Sequence, residues 1–211
     1  MFRILWLAQF GSNIGSWMQT VGAQWLLVDR GAAYVAGVQV AYSLPVLLLA
    51  LPAGTLADLV NRRVLLITVQ IVMAATAFLL AALAWAGHLP PPALLSLTFA
   101  MGCGLALSTP AWQALQPSLV PRDQIARASA LGAVNMNTAR ALGPALGGFL
   151  VSWAGVGWTF ASNGVSFLGT AIALAAWHQP AVRKPAQSGS ASEARWQQAV
   201  VTSATRLAYG V

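Results

Sequence analysis

The sequence predicts an all-α membrane protein built from six transmembrane helices. Of its 211 residues, 58% are hydrophobic and only 7% are charged, whereas a soluble domain carries roughly 25% charged residues. The mean hydropathy of +0.69 leaves too little polar surface for a water-soluble fold of this size. The apolar residues also form six long runs, and the charged residues lie mostly between them. Together these observations indicate that lipid surrounds the chain.

Six apolar runs are the predicted transmembrane helices. They are residues 4–28, 35–57, 64–85, 93–115, 128–151 and 158–177. Each reaches the length of about 20 residues that a helix needs to cross a hydrocarbon layer about 30 Å thick. The strands of a membrane barrel would be about 10 residues long with alternating polarity, and no stretch alternates in that way. The first run is too long for the apolar core of a secretory signal, so no cleaved signal is expected.

The connectors divide the chain into two predicted regions. Most connectors are short, so neighbouring helices are expected to run antiparallel in one bundle over residues 1–177. The remainder, residues 178–211, is rich in Pro, Ser, Ala and charge. We expect it to be a cytoplasmic linker with the start of an amphipathic helix.

The basic residues predict the orientation in the membrane. With the N-terminus in the cytoplasm, the inside segments hold nine of the eleven Lys and Arg residues: Arg3, Arg62, Arg63, Arg122, Arg127, Arg183, Lys184, Arg195 and Arg206. Arg30 then lies in an outside turn, and Arg140 lies within a span. This bias predicts a multi-pass protein of the plasma membrane with both termini cytoplasmic. Tryptophans near the span ends fit an interfacial belt: Trp6, Trp25, Trp85, Trp153, Trp158 and Trp177.

Several function classes are disfavoured by the residues themselves. The net charge of +7 does not indicate nucleic-acid binding, because the cations are spread over the gaps between apolar runs rather than clustered on a solvated face. His88 and His178 are far apart and Cys103 is the single cysteine, so we predict no metal site, no cofactor and no internal disulfide. An enzyme would need a catalytic constellation within the bilayer, and the runs contain none.

One polar junction lies between the second and third runs, where residues 54–63 read GTLADLVNRR. It resembles the cytoplasmic loop motif of the major facilitator superfamily, in which Gly, Asp and basic residues recur in the order G-x-L-A-D-x-x-G-R-[RK]. Asn61 replaces the usual Gly, and we expect it to supply the left-handed conformation that Gly would adopt. The resemblance implies a gating loop formed by Gly54, Asp58, Arg62 and Arg63. Asp58 and Arg62 would form a latch that holds the cytoplasmic side shut. Alternatively, Asp58 only caps a helix or pairs with a loop Arg.

Further motifs extend the resemblance along the chain. QFGSNIGSWMQTVGAQWLL in the first run and STPAWQALQPSLVPRDQIARASAL across the fourth and fifth runs look like the enterobactin-exporter-like branch, the transmembrane secretion effectors. ARALGPALGGFL resembles the Gly-Pro motif of exporters, which here would bend the fifth helix at Gly143, Pro144, Gly147 and Gly148. The chain then corresponds to the N-terminal six-helix half of the superfamily fold. Similar Gly and Pro residues at 51–54 and 143–148 fit a 3+3 inverted repeat.

Polar residues within the runs are candidates for lining a substrate cavity. In the first run they recur at spacings of 4, 3, 4 and 4, on one helix face: Gln9, Asn13, Ser16, Thr20 and Gln24. Contact with lipid would leave these groups without hydrogen bonds, so the stripe faces protein or a water-filled cavity. The resemblance favours the cavity, and hydrogen bonding between helices is the alternative. Gln113 in the fourth run is open to the same two interpretations.

Arg140 is the one charge deep inside a predicted span, and Asn137 precedes it by about one turn. A charge near the membrane midplane costs about 2.5–3.5 kcal/mol, so Arg140 is expected to face the bundle interior. It would contact an anionic substrate or take part in coupling. A structural Arg that binds helix carbonyls is the alternative.

The resemblance implies a secondary active transporter in the bacterial inner membrane. It would export a small amphipathic molecule, a siderophore or a drug, by alternating access. Its partners would be the lipid bilayer, the substrate and a C-terminal six-helix half that is missing here. The alternative is a truncated six-helix half that does not transport alone, or one that pairs with a second half.

Overall fold

The computed structural model describes residues 2–115 and 119–177, apart from the side chains of Phe2, Ala57, Asp58 and Arg122. This part of the chain is all-α, with six long helices: α1 Phe2–Trp25, α2 Ala32–Leu59, α3 Arg62–Trp85, α4 Pro91–Leu115, α5 Ile125–Ala154 and α6 Val156–Ala176. Each overlaps one predicted span, and the ends differ by a few residues at most. The predicted linker and amphipathic helix at 178–211 lie outside the described residues.

Four of these helices are long and apolar enough to cross a membrane: Ala32–Leu56 within α2, and α3, α4 and α6. The helices α1 and α5, with 24 and 30 residues, have sufficient length. They are less apolar because α1 carries the polar stripe and α5 carries Arg127, Asn135, Asn137 and Arg140. The chain is thus a multi-pass membrane protein in which two helices also present polar faces.

Local sequence explains where α3 and α6 begin. The Asn61 side chain accepts hydrogen bonds from the backbone N–H groups of Arg63 and Val64, at 3.0 and 3.4 Å, and so caps α3. The φ of −65° and ψ of 110° at Asn61 are extended, so the predicted left-handed conformation is wrong. Asn61 instead provides a side-chain hydrogen-bond acceptor, which Gly lacks. Gly155 alone separates α5 from α6 at a φ of 91°, which favours glycine.

The helices alternate in direction. Helices α1 and α5 run parallel, as do α2 and α4. Helix α3 runs antiparallel to α4 and α6, and α1 runs antiparallel to α6. One end of the bundle therefore gathers the N-termini of α1, α3 and α5 with the C-termini of α2, α4 and α6. We call it the Arg62–Arg63 end, after two side chains that lie there.

The contacts between helices repeat across the two halves of the bundle. The main packed pairs are α3 with α6, α2 with α4, α1 with α5, α1 with α6, and α3 with α4. When α1, α2 and α3 are exchanged with α4, α5 and α6, the pair α2–α4 becomes α5–α1, and α1–α6 becomes α4–α3. The pair α3–α6 is unchanged. Two structurally equivalent three-helix units would produce this pattern.

Three buried apolar clusters lie between the helices. The cluster at the Arg62–Arg63 end includes Leu5, Leu66, Leu115 and Trp177. Trp177 is only 4% exposed, so it belongs to the core and not to an interfacial belt. Exposed tryptophans do mark the opposite end: Trp25, Trp85, Trp153 and Trp158.

Candidate functional site

The predicted gating loop lies in helices. Gly54 and Asp58 belong to the last turns of α2, and Arg62 and Arg63 are the first residues of α3. Only two residues separate the helices, because Asn61 caps α3 immediately after α2 ends. The Asp58 side chain lies outside the described part of the structure, so its role as a latch acid stays a prediction.

Arg62 and Arg63 join three helix ends. Arg63 donates from Nε to the Leu174 carbonyl at 2.9 Å and from a terminal guanidinium nitrogen to the Ala175 carbonyl at 2.6 Å. Arg62 donates to the Ala114 carbonyl at 3.3 Å. These carbonyls belong to the last turns of α6 and α4. Carbonyls in a last turn have no partner within their own helix and lie at the negative end of its dipole. The two arginines thus cap α4 and α6, which the sequence did not predict.

A cavity of about 410 Å³ lies in the half of the bundle nearer to this end. It is bordered by α1, α3, α4, α5 and the segment after α4. No described residue that lines it is charged, and eight carry an amide or hydroxyl group: Gln9, Asn13, Gln70, Ser108, Thr109, Gln113, Ser129 and Asn135. The indoles of Trp6 and Trp112 also border it. Small-molecule sites commonly have volumes of about 300–1,000 Å³.

A hydrogen-bonded chain joins α1 and α5 along one wall of the cavity. Gln9 donates to Asn13 Oδ1 at 3.2 Å, and Asn13 donates to Asn135 Oδ1 at 2.8 Å. Asn135 in turn donates to the Trp6 carbonyl at 3.2 Å, and the Trp6 indole donates to the Leu131 carbonyl at 3.0 Å. Gln9 and Asn13 therefore border the cavity and also take part in hydrogen bonding within the protein, and their contact with a substrate stays a prediction. Asn135, only 3% exposed, is not among the residues that the sequence predicts to line a cavity.

The opposite wall, on α3 and α4, contains polar groups that are not satisfied. Gln70 is 4% exposed, and its Oε1 is buried without a hydrogen-bond partner among the described residues. The Ser108 hydroxyl oxygen is likewise buried without a hydrogen-bond partner among the described residues. Most buried polar groups in proteins are hydrogen-bonded. Sequence reasoning missed Gln70 because one amide in an apolar run forms no periodic stripe.

The later part of the predicted α1 stripe does not border this cavity. Ser16 and Thr20 each donate to a carbonyl four residues earlier in α1, at 2.9 Å, and Gln24 is half-buried. A second polar face of α1, which the sequence analysis missed, packs on α6. There Asn163 donates to Gln19 Oε1 at 2.6 Å, and both residues are buried.

Arg140 lies on an exposed face of α5 and not in the bundle interior. Its guanidinium carbon is 5.4 Å from the centre of the Trp17 ring, a distance suited to cation–π attraction. Trp17 follows Asn13 by about one turn, and Arg140 follows Met136 by about one turn, so the pair lies beyond the cavity along both helices. Asn137 is also exposed and does not border the cavity.

Helix α5 continues without a break through the Gly-Pro motif. A methyl group added at Gly143 would overlap the Trp17 side chain, and one added at Gly147 would lie 2.9 Å from a Cα atom of α1. Gly148 faces open space. The two buried glycines therefore allow α1 and α5 to approach closely. The bending predicted for the motif, including Pro144, stays a prediction.

Comparison with known proteins agrees with this architecture. A family model described as transmembrane secretion effector matches residues 1–203. The chain is also 26% identical over 155 residues to the Staphyloferrin A transporter of Staphylococcus aureus (strain NCTC 8325 / PS 47). That match covers 72% of this chain but only 39% of the relative. Because the family match spans nearly the whole sequence, the chain belongs to the transmembrane secretion effector family of major facilitator transporters.

Proposed function

We propose that this chain forms the N-terminal six-helix bundle of a major facilitator transporter that exports a small amphipathic molecule by alternating access. Family membership supports transport. The similarity to a Staphyloferrin A transporter supports a siderophore as one substrate class, and a drug-like amphipathic molecule is the other.

The observation that carries this proposal is the uncharged polar cavity inside an otherwise apolar bundle. Polar groups at membrane depth are tolerated where they bond to protein or line a water-filled space. A cavity of about 410 Å³ with eight amide or hydroxyl side chains therefore supports a path for a solute. Its position near one end of the bundle supports a state that communicates with one side of the membrane.

In this proposal all six helices cross the membrane. The polar faces of α1 and α5 bond to each other, and α1 also bonds to α6, which keeps amide groups away from lipid. The distribution of basic residues supports a cytoplasmic location, in a bacterial cell, for the Arg62–Arg63 end and both termini. The cavity would then lie on the side from which an exporter loads its substrate.

A second helical bundle is the proposed partner. The helix contacts are preserved when the first three helices are exchanged with the last three, which supports a 3+3 inverted repeat. In transporters built from such repeats, alternating access moves whole bundles against each other. The relative extends well beyond the matched region, which supports a C-terminal six-helix half. The same observation supports the second candidate, a six-helix bundle that transports only when paired with another half.

Accumulation measurements in an efflux-deficient bacterial host test the proposal. Cells that express this six-helix bundle together with the proposed C-terminal half should accumulate several-fold less labelled staphyloferrin A or chloramphenicol than cells with empty vector. Ser129→Trp should restore accumulation, because the indole would occupy much of the cavity that Ser129 borders. Ala133→Trp is the matched control, since Ala133 is exposed one turn further along α5 and does not border the cavity.

The proposal fails if membrane-inserted protein changes the accumulation of neither compound. It also fails if Ser129→Trp and Ala133→Trp transport equally well. An immunoblot of the membrane fraction provides the expression level needed to compare the variants.

A further inference from the structure

The α3–α4 wall of the cavity differs from the α1–α5 wall in its hydrogen bonding. On α1 and α5, Asn13 and Asn135 bond to each other. On α3 and α4, Gln70 Oε1 and Ser108 Oγ are buried and have no partner among the described residues. We propose that Gln70 and Ser108 form a recognition site for the hydrogen-bond donors of an uncharged ligand. This inference rests on the proposed function, because it assigns the substrate class of the same cavity.

The two side chains lie at one level of the bundle. Arg62 bonds to Ala114, and Gly104 packs against Met73, which together define the antiparallel register of α3 and α4. In that register Gln70 lies opposite residues 106–107, one or two residues before Ser108. Both residues line the same cavity, so one ligand in it borders both.

Burial makes the unpaired state of these oxygens costly. A buried acceptor without a partner loses its hydration and gains no bond in return. Both oxygens lie within the wall and not on its surface, so contact requires rotation of the Gln70 amide about χ3 and of the Ser108 hydroxyl about χ1. The χ3 torsion of Gln is broad, which makes this rotation small in cost. A ligand N–H or O–H group then supplies the missing bond.

The charge of the wall selects against ions. The described lining residues contain no charged side chain, and Arg140 lies beyond the cavity against Trp17. A carboxylate in this site would lose water without gaining a cationic partner, which is strongly unfavourable. The indoles of Trp6 and Trp112 border the same space and suit a flat apolar body. The ligand class is therefore neutral, partly aromatic and rich in donors, which favours the drug-like substrate class over a carboxylate siderophore.

Binding of two related probes to the purified full-length protein in detergent tests this assignment. Chloramphenicol is neutral and has an aromatic ring, an amide N–H and hydroxyl groups, whereas chloramphenicol succinate adds a carboxylate. We expect the neutral probe to bind at least 10-fold more tightly. Gln70→Leu and Ser108→Ala should each weaken its binding roughly 3- to 10-fold, the range for loss of one neutral hydrogen bond.

A matched control and a second measurement separate recognition from folding. Thr98 on α4 also has a buried hydroxyl without a described partner, but it does not border the cavity, so Thr98→Val should leave the affinity unchanged. Without ligand, Gln70→Leu should raise the thermal midpoint, because it removes an unsatisfied buried group. A gain in stability together with a loss of affinity is not expected of a merely structural residue.

Three outcomes would overturn the assignment: unchanged affinity in both Gln70→Leu and Ser108→Ala, equal or tighter binding of the succinate, or no binding of chloramphenicol by wild-type protein. If cells still export staphyloferrin A in any of these cases, the proposed transport function stands and only the assigned ligand class fails. If the probe binds as expected but expression changes accumulation of neither compound, the recognition site stands and the transport proposal fails.

Discussion

Replacement of Arg63 by methionine tests whether the arginine pair stabilises the bundle by capping helices. Arg63 makes two hydrogen bonds, to the Leu174 and Ala175 carbonyls, at 2.9 and 2.6 Å. Methionine retains an apolar side chain of similar length but cannot donate to either carbonyl. The last turn of α6 would then lose both donors and a cation at the negative end of its dipole.

The expected loss follows from the number and exposure of these bonds. A hydrogen bond to a charged group contributes about 1.5–3 kcal/mol, and Arg63 is only half-buried, so the lower part of the range applies. The two bonds together contribute about 3 kcal/mol. For a domain of this size each kcal/mol shifts the thermal midpoint by about 2–4 °C, which predicts a decrease of about 6–12 °C.

Intrinsic tryptophan fluorescence during heating, in one detergent, measures this midpoint. Arg63→Lys should recover about half of the loss, because it restores the charge but not the planar fork that reaches two carbonyls. Arg127→Met is the control for removal of a cation: Arg127 is exposed in the first turn of α5, where the helix dipole disfavours a positive charge. A midpoint for Arg63→Met within about 1 °C of the Arg127→Met midpoint would refute the capping role.

Three further predictions concern helix packing and helix ends, and each is read from the same thermal midpoint. Gly143→Ala should destabilise the bundle by about 1–3 kcal/mol through overpacking against α1. Gly148 faces open space, so Gly148→Ala should leave the stability unchanged. Equal effects of the two substitutions would contradict the close approach of α1 and α5. Asn13→Leu and Asn135→Leu should each destabilise the bundle. The double variant should lose less free energy of unfolding than the sum of the two single losses, by at least 0.5 kcal/mol. Strictly additive losses would show that the two amides do not interact. Asn61→Ala should cost about 1 kcal/mol and Asn61→Gly a few tenths; no difference between these two would argue against the cap on α3.

The sequence alone determined that lipid surrounds the chain and where along it the helices lie. Composition and run length depend on no tertiary contact, because a stretch of about 20 apolar residues satisfies its backbone hydrogen bonds within itself. The six helices of the described part therefore match the six predicted runs closely. The motif resemblance indicated the family, which the profile match over residues 1–203 then showed.

The extent of the junction between α2 and α3 was less predictable. The motif predicts a loop with a glycine-like Asn61, but the structure uses Asn61 as a helix cap and leaves two residues between the helices. Sequence alone does not distinguish these cases, since Asn suits both a left-handed turn and an N-cap. The backbone path of the neighbouring helices decides between them.

Only the tertiary structure decided which polar side chains face the cavity. Periodicity placed Gln9 and Gln24 on one face of α1, yet only Gln9 borders the cavity. It offered no reason to select Gln19, which bonds to Asn163 on α6, or Gln70, which lines the opposite wall. Helical periodicity defines which residues share a face, but the direction in which that face points depends on the rotation and spacing of the helices around it. Those are set by long-range packing, such as the fit of Gly143 against α1, and no short stretch of sequence contains both sides of such a contact.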